Sequence, residues 1–201
     1  MSKAAQQVQL KELAPKSIFY YGGVNWLVLQ KTGGGVLCLS EKNLFDKAFD
    51  EEDRNYWSDS TLREYLNNDF LEECILNGAN EAAFLPMVLD LTADDGLDDY
   101  GTCEDLIGLI SCQQYRQYRK IIPNADGWWW TITPYSTKAN GCSRYVRNVR
   151  YVHSDGTLNN SNAYNGYNGV RPLCTLQSSI LVSVIHKEEG NQQEEPESKE
   201  L

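Results

Sequence analysis

Ser17-Ile18-Phe19-Tyr20-Tyr21-Gly22-Gly23-Val24-Asn25-Trp26-Leu27-Val28-Leu29-Gln30 is the stretch that sets the architecture. Ser17 to Tyr21 is a β-rich run, Gly22-Gly23 is a tight turn, and Val24 to Gln30 is a second run in which Val24, Trp26 and Val28 alternate. Gly33-Gly34-Gly35 makes the next turn, and Val36-Leu37-Cys38-Leu39 follows. Strands joined by glycine turns predict an antiparallel meander.

Outward from the meander the period changes. After an acidic loop, Asp46 to Asp53, the residues Ser58, Asp59 and Ser60 offer N-caps. Leu62, Leu66, Phe70 and Cys74 then recur four apart, which predicts an amphipathic helix with a break at Asn67-Asn68 and an end at Asn77-Gly78. Ala83 to Thr92 is apolar with one proline, which suits an edge or irregular segment. Leu106 to Ile110 is a short buried element. Ser111 and Gln114 form a capping-box pattern that opens a second helix through Tyr115, Tyr118 and Ile121, stopped by Pro123 to Gly127. Tyr145 to Val152 and Ile180 to Ile185 read as strands. The sequence therefore predicts an α+β fold of short antiparallel strands, two helices and much irregular structure.

The 201 residues fit one domain with a tail, and a hydrophobic content of 41% supports a core. The expected limits are a flexible N-terminus over 1–9, a domain over 10–186 and a disordered acidic tail over 187–201. The tail holds six Glu and two Lys, so it carries −4 of the net −10 and cannot bury enough apolar area to order itself. A net charge of −10 argues against nucleic acid as a partner. No apolar run reaches about 18 residues, so membrane insertion is not expected. Met1 to Leu10 lacks the apolar core of a signal peptide, which points to synthesis in the cytoplasm.

The chemistry-bearing residues are sparse. The six cysteines have no C-x-x-C spacing, and Cys38, Cys74 and Cys174 lie in apolar runs, as buried thiols do. The two histidines, His153 and His186, exclude a three-histidine metal site. No phosphate-binding glycine loop is present, and no cofactor or metal is expected. Asp90 to Asp99 is acidic enough to suggest calcium. In an EF-hand count from Asp90, however, the required glycine falls on Asp95, so the loop reads as a solvated cap for the next element. Arg144, Arg147 and Arg150 recur every third residue, which on a strand alternates faces. Of the consecutive rings Trp128, Trp129 and Trp130, at least one belongs to the core, and one is placed to stack on a ligand.

One polar stretch stands out: His153-Ser154-Asp155-Gly156-Thr157-Leu158-Asn159-Asn160-Ser161-Asn162-Ala163-Tyr164-Asn165-Gly166-Tyr167-Asn168, closed by Gly169-Val170-Arg171-Pro172. Tyrosine supplies rigid amphipathic area, and Asn, Ser and Gly supply adaptable hydrogen bonding. This composition favours recognition over catalysis.

Three motifs carry a resemblance. Trp57-Ser58-Asp59-Ser60-Thr61-Leu62-Arg63-Glu64-Tyr65-Leu66-Asn67 resembles the W-x-x-S-x-L-R-x-x-L-N signature of an uncharacterised domain of gut bacteria and their phages. Trp129 to Pro134 resembles its W-W-x-R-[ST]-P motif, with Ile132 in place of Arg, and Gly169 to Pro172 matches its G-V-R-P. That family is similar to the C-type lectin-like (formylglycine-generating-enzyme-like) variable proteins of diversity-generating retroelements. The resemblance implies a C-type lectin-like fold with a variable C-terminal face, diversified at adenine-rich codons such as those of Asn. It makes Arg171 structural, held by carboxylate or carbonyl groups, and makes Trp129 and Trp130 scaffold. The E-P-N, Q-P-D and W-N-D motifs of calcium-dependent lectins are missing, so no calcium site is carried over.

The expected function is that of a non-enzymatic, phage-encoded, virion-associated protein that binds a protein or glycan ligand on a cell surface, with other virion proteins as further partners and a homo-oligomer compatible. The expected ligand-binding face is Arg144, Tyr145, Arg147, Asn148, Arg150, His153, Asn159, Asn160, Asn162, Tyr164, Asn165, Tyr167 and Asn168. Two other readings stay open. One is a virion decoration protein without a receptor. The other is an enzyme of the formylglycine-generating type using Cys142 and Cys174.

Overall fold

A computed structural model describes residues 7–142 and 144–185. In chain order the regular elements are β1 (Gln7–Gln9), β2 (Ile18–Tyr21), β3 (Val24–Lys31), β4 (Gly35–Ser40), β5 (Phe45–Asp46), α1 (Thr61–Asn67), α2 (Asp69–Leu76), β6 (Phe84–Leu85), β7 (Met87–Asp90), β8 (Thr102–Asp105), β9 (Ile107–Gly108) and α3 (Cys112–Tyr118). They continue with β10 (Trp129–Pro134), β11 (Asn148–Val152), β12 (Leu158–Asn162), β13 (Gly169–Val170), β14 (Leu173–Gln177) and β15 (Leu181–Ile185). The result is an α+β protein of mostly antiparallel sheets.

The predicted meander is present. Tyr21 pairs with Val24 across Gly22 and Gly23, whose φ values of 59° and 80° are those of a two-residue hairpin turn open to glycine. β4 follows β3, with a register shift between Val28 and Gln30. The large sheet has the order β1-β15-β2-β3-β4-β14-β6, with β9 also on β14. A second sheet has the order β12-β11-β10-β13-β5, and β7 and β8 form a hairpin of their own. Gln7 to Gln9, expected within a flexible terminus, instead pair with Leu181 to Ser183 as an edge strand. The acidic tail over 187–201 and His186 lie outside the described residues. No helix among the described residues is long and apolar enough to cross a membrane.

Each sheet face has a core layer. One cluster joins Trp26, Val28 and Cys38 to Phe49, Trp57, Leu62, Leu66, Phe70 and Trp130. The other joins Leu27, Leu29 and Leu39 to Tyr115 and Tyr118 of α3 and to Trp129. Burial of this apolar surface, at about 25 cal/mol per Å², is the main stabilising term.

The first motif is explained by the packing of α1. Ser60 caps the helix by accepting from Arg63 N at 3.2 Å, and Leu62 and Leu66 are buried. Trp57 Nε1 donates to Asp105 Oδ2 at 2.8 Å, and Arg63 pairs with the same carboxylate at 2.8 Å. Asn67 leaves the helical ladder to bind β9: its Nδ2 donates to Ile107 O at 2.8 Å, and its Oδ1 accepts from Leu106 N and Ile107 N. The helix breaks there, as the Asn67-Asn68 pair predicts, and resumes as α2. The capping box of α3 is also formed, with Ser111 Oγ accepting from Gln114 N and Gln114 Oε1 from Ser111 N. That helix ends at Tyr118, a turn earlier than the pattern through Ile121 predicts.

Candidate functional site

The polar stretch is built on the edge of the second sheet. β11 and β12 pair from Asn148–Asn162 through Val152–Leu158. Directly opposite residues share a face. Asn148, Arg150, Asn160 and Asn162 are therefore on one side, and Val149, Tyr151, Asn159 and Ser161 on the other. After Asn162 the chain turns, with Asn165 N donating to Asn162 O at 3.0 Å. An open groove of about 570 Å³ wraps this free edge, lined by Asn148, Asn160, Ser161, Asn162, Tyr164, Asn165, Gly166 and Tyr167. Every lining side chain is an amide, a hydroxyl, a phenol or absent, and none is charged.

Residues 44–55 form the foundation of this loop. Lys47 N donates to Asn168 O, Leu44 N to Val170 O, and both Phe49 N and Asp50 N to Ala163 O. Asp53, held at a φ of 61°, accepts from Tyr164 N at 3.3 Å and pairs with Arg147 at 3.1 Å. Asn55 is a buried hub. Its Nδ2 donates to Ser136 O, Tyr145 O and Asn148 O at 2.8, 3.1 and 3.0 Å, and its Oδ1 accepts from Tyr100 Oη at 2.9 Å. Burial, assisted by the Asp99 charge, pushes the Tyr100 phenol up to about 12, so it remains a donor. Burial would raise the Asp50 carboxyl, but hydrogen bonds from the Arg54 side chain and from the Arg54 and Thr61 amides outweigh it and hold the pKa below the usual value.

The second motif lies in the core beneath the groove. Trp129 and Trp130 are both buried, and Trp130 Nε1 donates to Lys47 O at 2.9 Å. Ile132 is buried in the apolar cluster. Trp128 is 43% exposed, stacked on Tyr151 with centroids 5.3 Å apart and planes 15° apart. The third motif is a clamp. A Cβ on Gly169 would meet Asn43 Nδ2 at 2.2 Å, so any other residue here must displace the Asn43 side chain. Arg171 is fully buried. Its Nε and Nη2 donate to Ser40 O, Nη2 also to Glu41 O, and Nη1 to Pro123 O, at 2.9–3.4 Å. Its guanidinium lies 4.7 Å from the Trp129 ring centroid. Carbonyls hold it, one of the two partner types the resemblance implies, and burial lowers its pKa to about 10.

Residues 99–178 match the model of a domain of unknown function, DUF6273. That stretch contains the second and third motifs and the whole polar loop. The first motif lies outside it, yet reaches into it through Asp105 and Ile107. No curated protein and no solved structure matches the chain.

Within the DUF6273 stretch the thirteen expected face residues do not form one patch. Asn148, Asn160, Asn162, Tyr164, Asn165 and Tyr167 line the groove. Arg144 is exposed and is not among the groove's lining residues. Arg147 lies in a short turn before β11, tied to Asp53. The Tyr145 ring packs on Tyr135 at 5.0 Å. Arg150 is drawn inward, paired with Asp94 at 2.6 Å and stacked over Tyr135 at 4.6 Å. His153 and Asn159 belong to the opposite face, His153 with its ring 5.1 Å from Trp128. Asn168 is a correction: it is fully buried, its carbonyl taken by Lys47, because the chain must dive under the loop to enter β13. Sequence reasoning missed Asp53 and Asn55, whose partners lie far along the chain, and the exposed Trp128, which only the register distinguishes from its two buried neighbours.

The carboxylates of the acidic loop have protein partners. Asp94 pairs with Arg116 and Arg150, Asp95 accepts from Ser136 at 2.6 Å, and Asp99 from Thr137. Burial would raise Asp95, but Ser136, Leu97 N and Asn140 hold it low. Among the described residues no group of three or more His, Cys, Asp or Glu is arranged to hold a metal ion. Cys174 stands opposite Cys38 across β14 and β4, both buried, and burial raises both thiols well above their ordinary value. Cys142 lies in the partly exposed segment after Asn140.

Proposed function

We propose that this chain is a ligand- or receptor-binding protein on a C-type lectin-like scaffold, carried by a phage and used for recognition of a cell surface. The carrying observation is the uncharged groove around the β12 edge, where Tyr164 and Tyr167 are 57% and 90% exposed on a loop whose backbone is fixed from below. Large exposed rings on a held loop supply binding area at low cost in conformational entropy. The surrounding motifs are all committed to packing, which supports a division between a constant frame and a changeable face.

Purified protein incubated with envelopes from a panel of bacterial strains tests the reading. Binding to at least one strain, lost in Tyr164→Ala/Tyr167→Ala while the melting temperature holds, is the expected result. Binding that ignores both tyrosines, or binding to no envelope, overturns it. Diversification of the loop is a separate proposal. Its test is a nearby reverse transcriptase with a template repeat that differs from the coding DNA of about residues 140–172 mainly at adenines.

A further inference from the structure

The other face of β12 carries a second row of side chains, which meets the groove at Ser161, Asn165 and Tyr167. Tyr151 sits directly opposite Asn159, and Ser161 follows Asn159 on the same face of β12. Asn165 Nδ2 donates to Ser161 Oγ at 3.0 Å, and Tyr167 N donates to Asn165 Oδ1 at 3.0 Å. At the other end Trp128 stacks on Tyr151, which covers one side of the indole and is itself buried. Trp128, Asn159, Ser161, Asn165 and Tyr167 therefore follow one another along this face as a track on the order of 15 Å long, with buried Tyr151 as the floor between the first two.

Trp128 is backed by the Tyr151 ring, has the His153 ring 5.1 Å away at a 34° tilt, and is not enclosed in the core as its neighbours are. Trp26, Trp57, Trp129 and Trp130 are each 1% exposed or less, against 43% for Trp128. An indole presenting an open, supported face next to a run of amides and hydroxyls suits a ring with an apolar face and a polar rim. None of the track side chains carries a formal charge, and the chain as a whole carries −10, which disfavours anionic ligands.

We propose that the track from Trp128 to Tyr167 binds a neutral oligosaccharide, with Trp128 as the platform on which one sugar ring stacks and the Asn159–Ser161–Asn165 groups as its hydrogen-bonding rail. The inference rests on the recognition reading above and gives it a ligand class. It also adds a residue, Trp128, that lies outside the loop.

The exposure difference makes intrinsic fluorescence a local probe. Acrylamide should quench Trp128 and leave the four buried indoles largely silent. Neutral pentasaccharides (maltopentaose, cellopentaose, chitopentaose and mannopentaose) are added to the full chain, and their protection of that quenching is followed. Envelope binding is measured in parallel, before and after periodate or protease treatment. The expected outcome is protection by at least one of these sugars, and envelope binding that survives protease, disappears after periodate and weakens about tenfold or more in Trp128→Ala. Trp128→Phe, which keeps a ring on Tyr151, should retain part of the affinity and guards against a folding artefact. Envelope binding that needs Tyr164 and Tyr167 but ignores Trp128→Ala, or that protease abolishes and periodate spares, overturns the oligosaccharide track and leaves the recognition reading standing. Binding independent of the two tyrosines overturns the recognition reading, and the track with it. No protection by any of the four sugars, with no periodate-sensitive envelope binding, overturns the track alone when the tyrosine variants still lose envelope binding.

Discussion

Tyr167 and Arg171 are four residues apart, and one is 90% exposed while the other is fully buried. The loop before Gly169 offers side chains outward and takes its shape from backbone bonds to residues 44–55. The segment after it turns inward, and Arg171 gathers carbonyls from Ser40, Glu41 and Pro123. The contrast teaches where each region keeps its specification. In the loop, shape is held by main-chain groups and by a few asparagine side chains such as Asn165, so the outward rings of Tyr164 and Tyr167 are free to change. In the clamp, shape is held by one side chain, which is not.

On that division the variants fall in a definite order. Arg171→Ala should cost most, about 3–5 kcal/mol, because it leaves buried carbonyls without donors and opens a hole against Trp129. Urea unfolding at neutral pH measures it, and a loss near zero would erase the distinction between clamp and loop. Asn55→Ala should cost about 2–3 kcal/mol for the same reason, since three carbonyls lose a buried donor. It should also weaken envelope binding, because Asn148, whose carbonyl Asn55 holds, lines the groove.

The next effect is one of pH. The Asp50 carboxyl is held below its ordinary value, so its contribution is full above the unfolded-state pKa of about 4 and is lost as pH falls through the lower folded-state value. Asp50→Asn should cost about 1–2 kcal/mol at neutral pH and flatten the acid limb of the stability curve. An unchanged acid limb would remove Asp50 from the foundation. Smallest is the loop itself. Tyr164→Ala and Tyr167→Ala should shift stability by no more than about 0.5 kcal/mol while removing binding. A large loss of stability with binding intact would invert the comparison.

The local parts of this design were legible in the sequence. Gly22-Gly23, the Ser111–Gln114 capping box and the break at Asn67-Asn68 depend on residues within a few positions, and each stands where its pattern places it. Trp129 and Trp130 are core and Arg171 is structural, as the motifs implied. What was not legible depends on partners far along the chain. The acidic loop 46–53 shows only its charge in the sequence, yet it underlies the polar loop through Lys47, Phe49, Asp50 and Asp53. Arg150 looks like a rim residue until Asp94 is brought beside it. Asn168 shares its composition with Asn165 and differs only in lying where the chain re-enters the sheet. Composition marks the stretch as suited to contact, but it could not separate the two faces of β12 or add Trp128 to one of them.

β12 is the last strand of its sheet, and such an edge is ordinarily a template for another chain. Here two of its outward groups are occupied from within. Asn159 Oδ1 accepts from Asn160 N at 2.8 Å, and Asn165 N takes Asn162 O. The asparagines thus have a second consequence: with two of its main-chain groups already taken, the exposed rim is a poorer template for a copy of itself. Replacing these amides with Val or Ile would trade solubility for β-propensity, which limits how freely this otherwise adaptable face can drift.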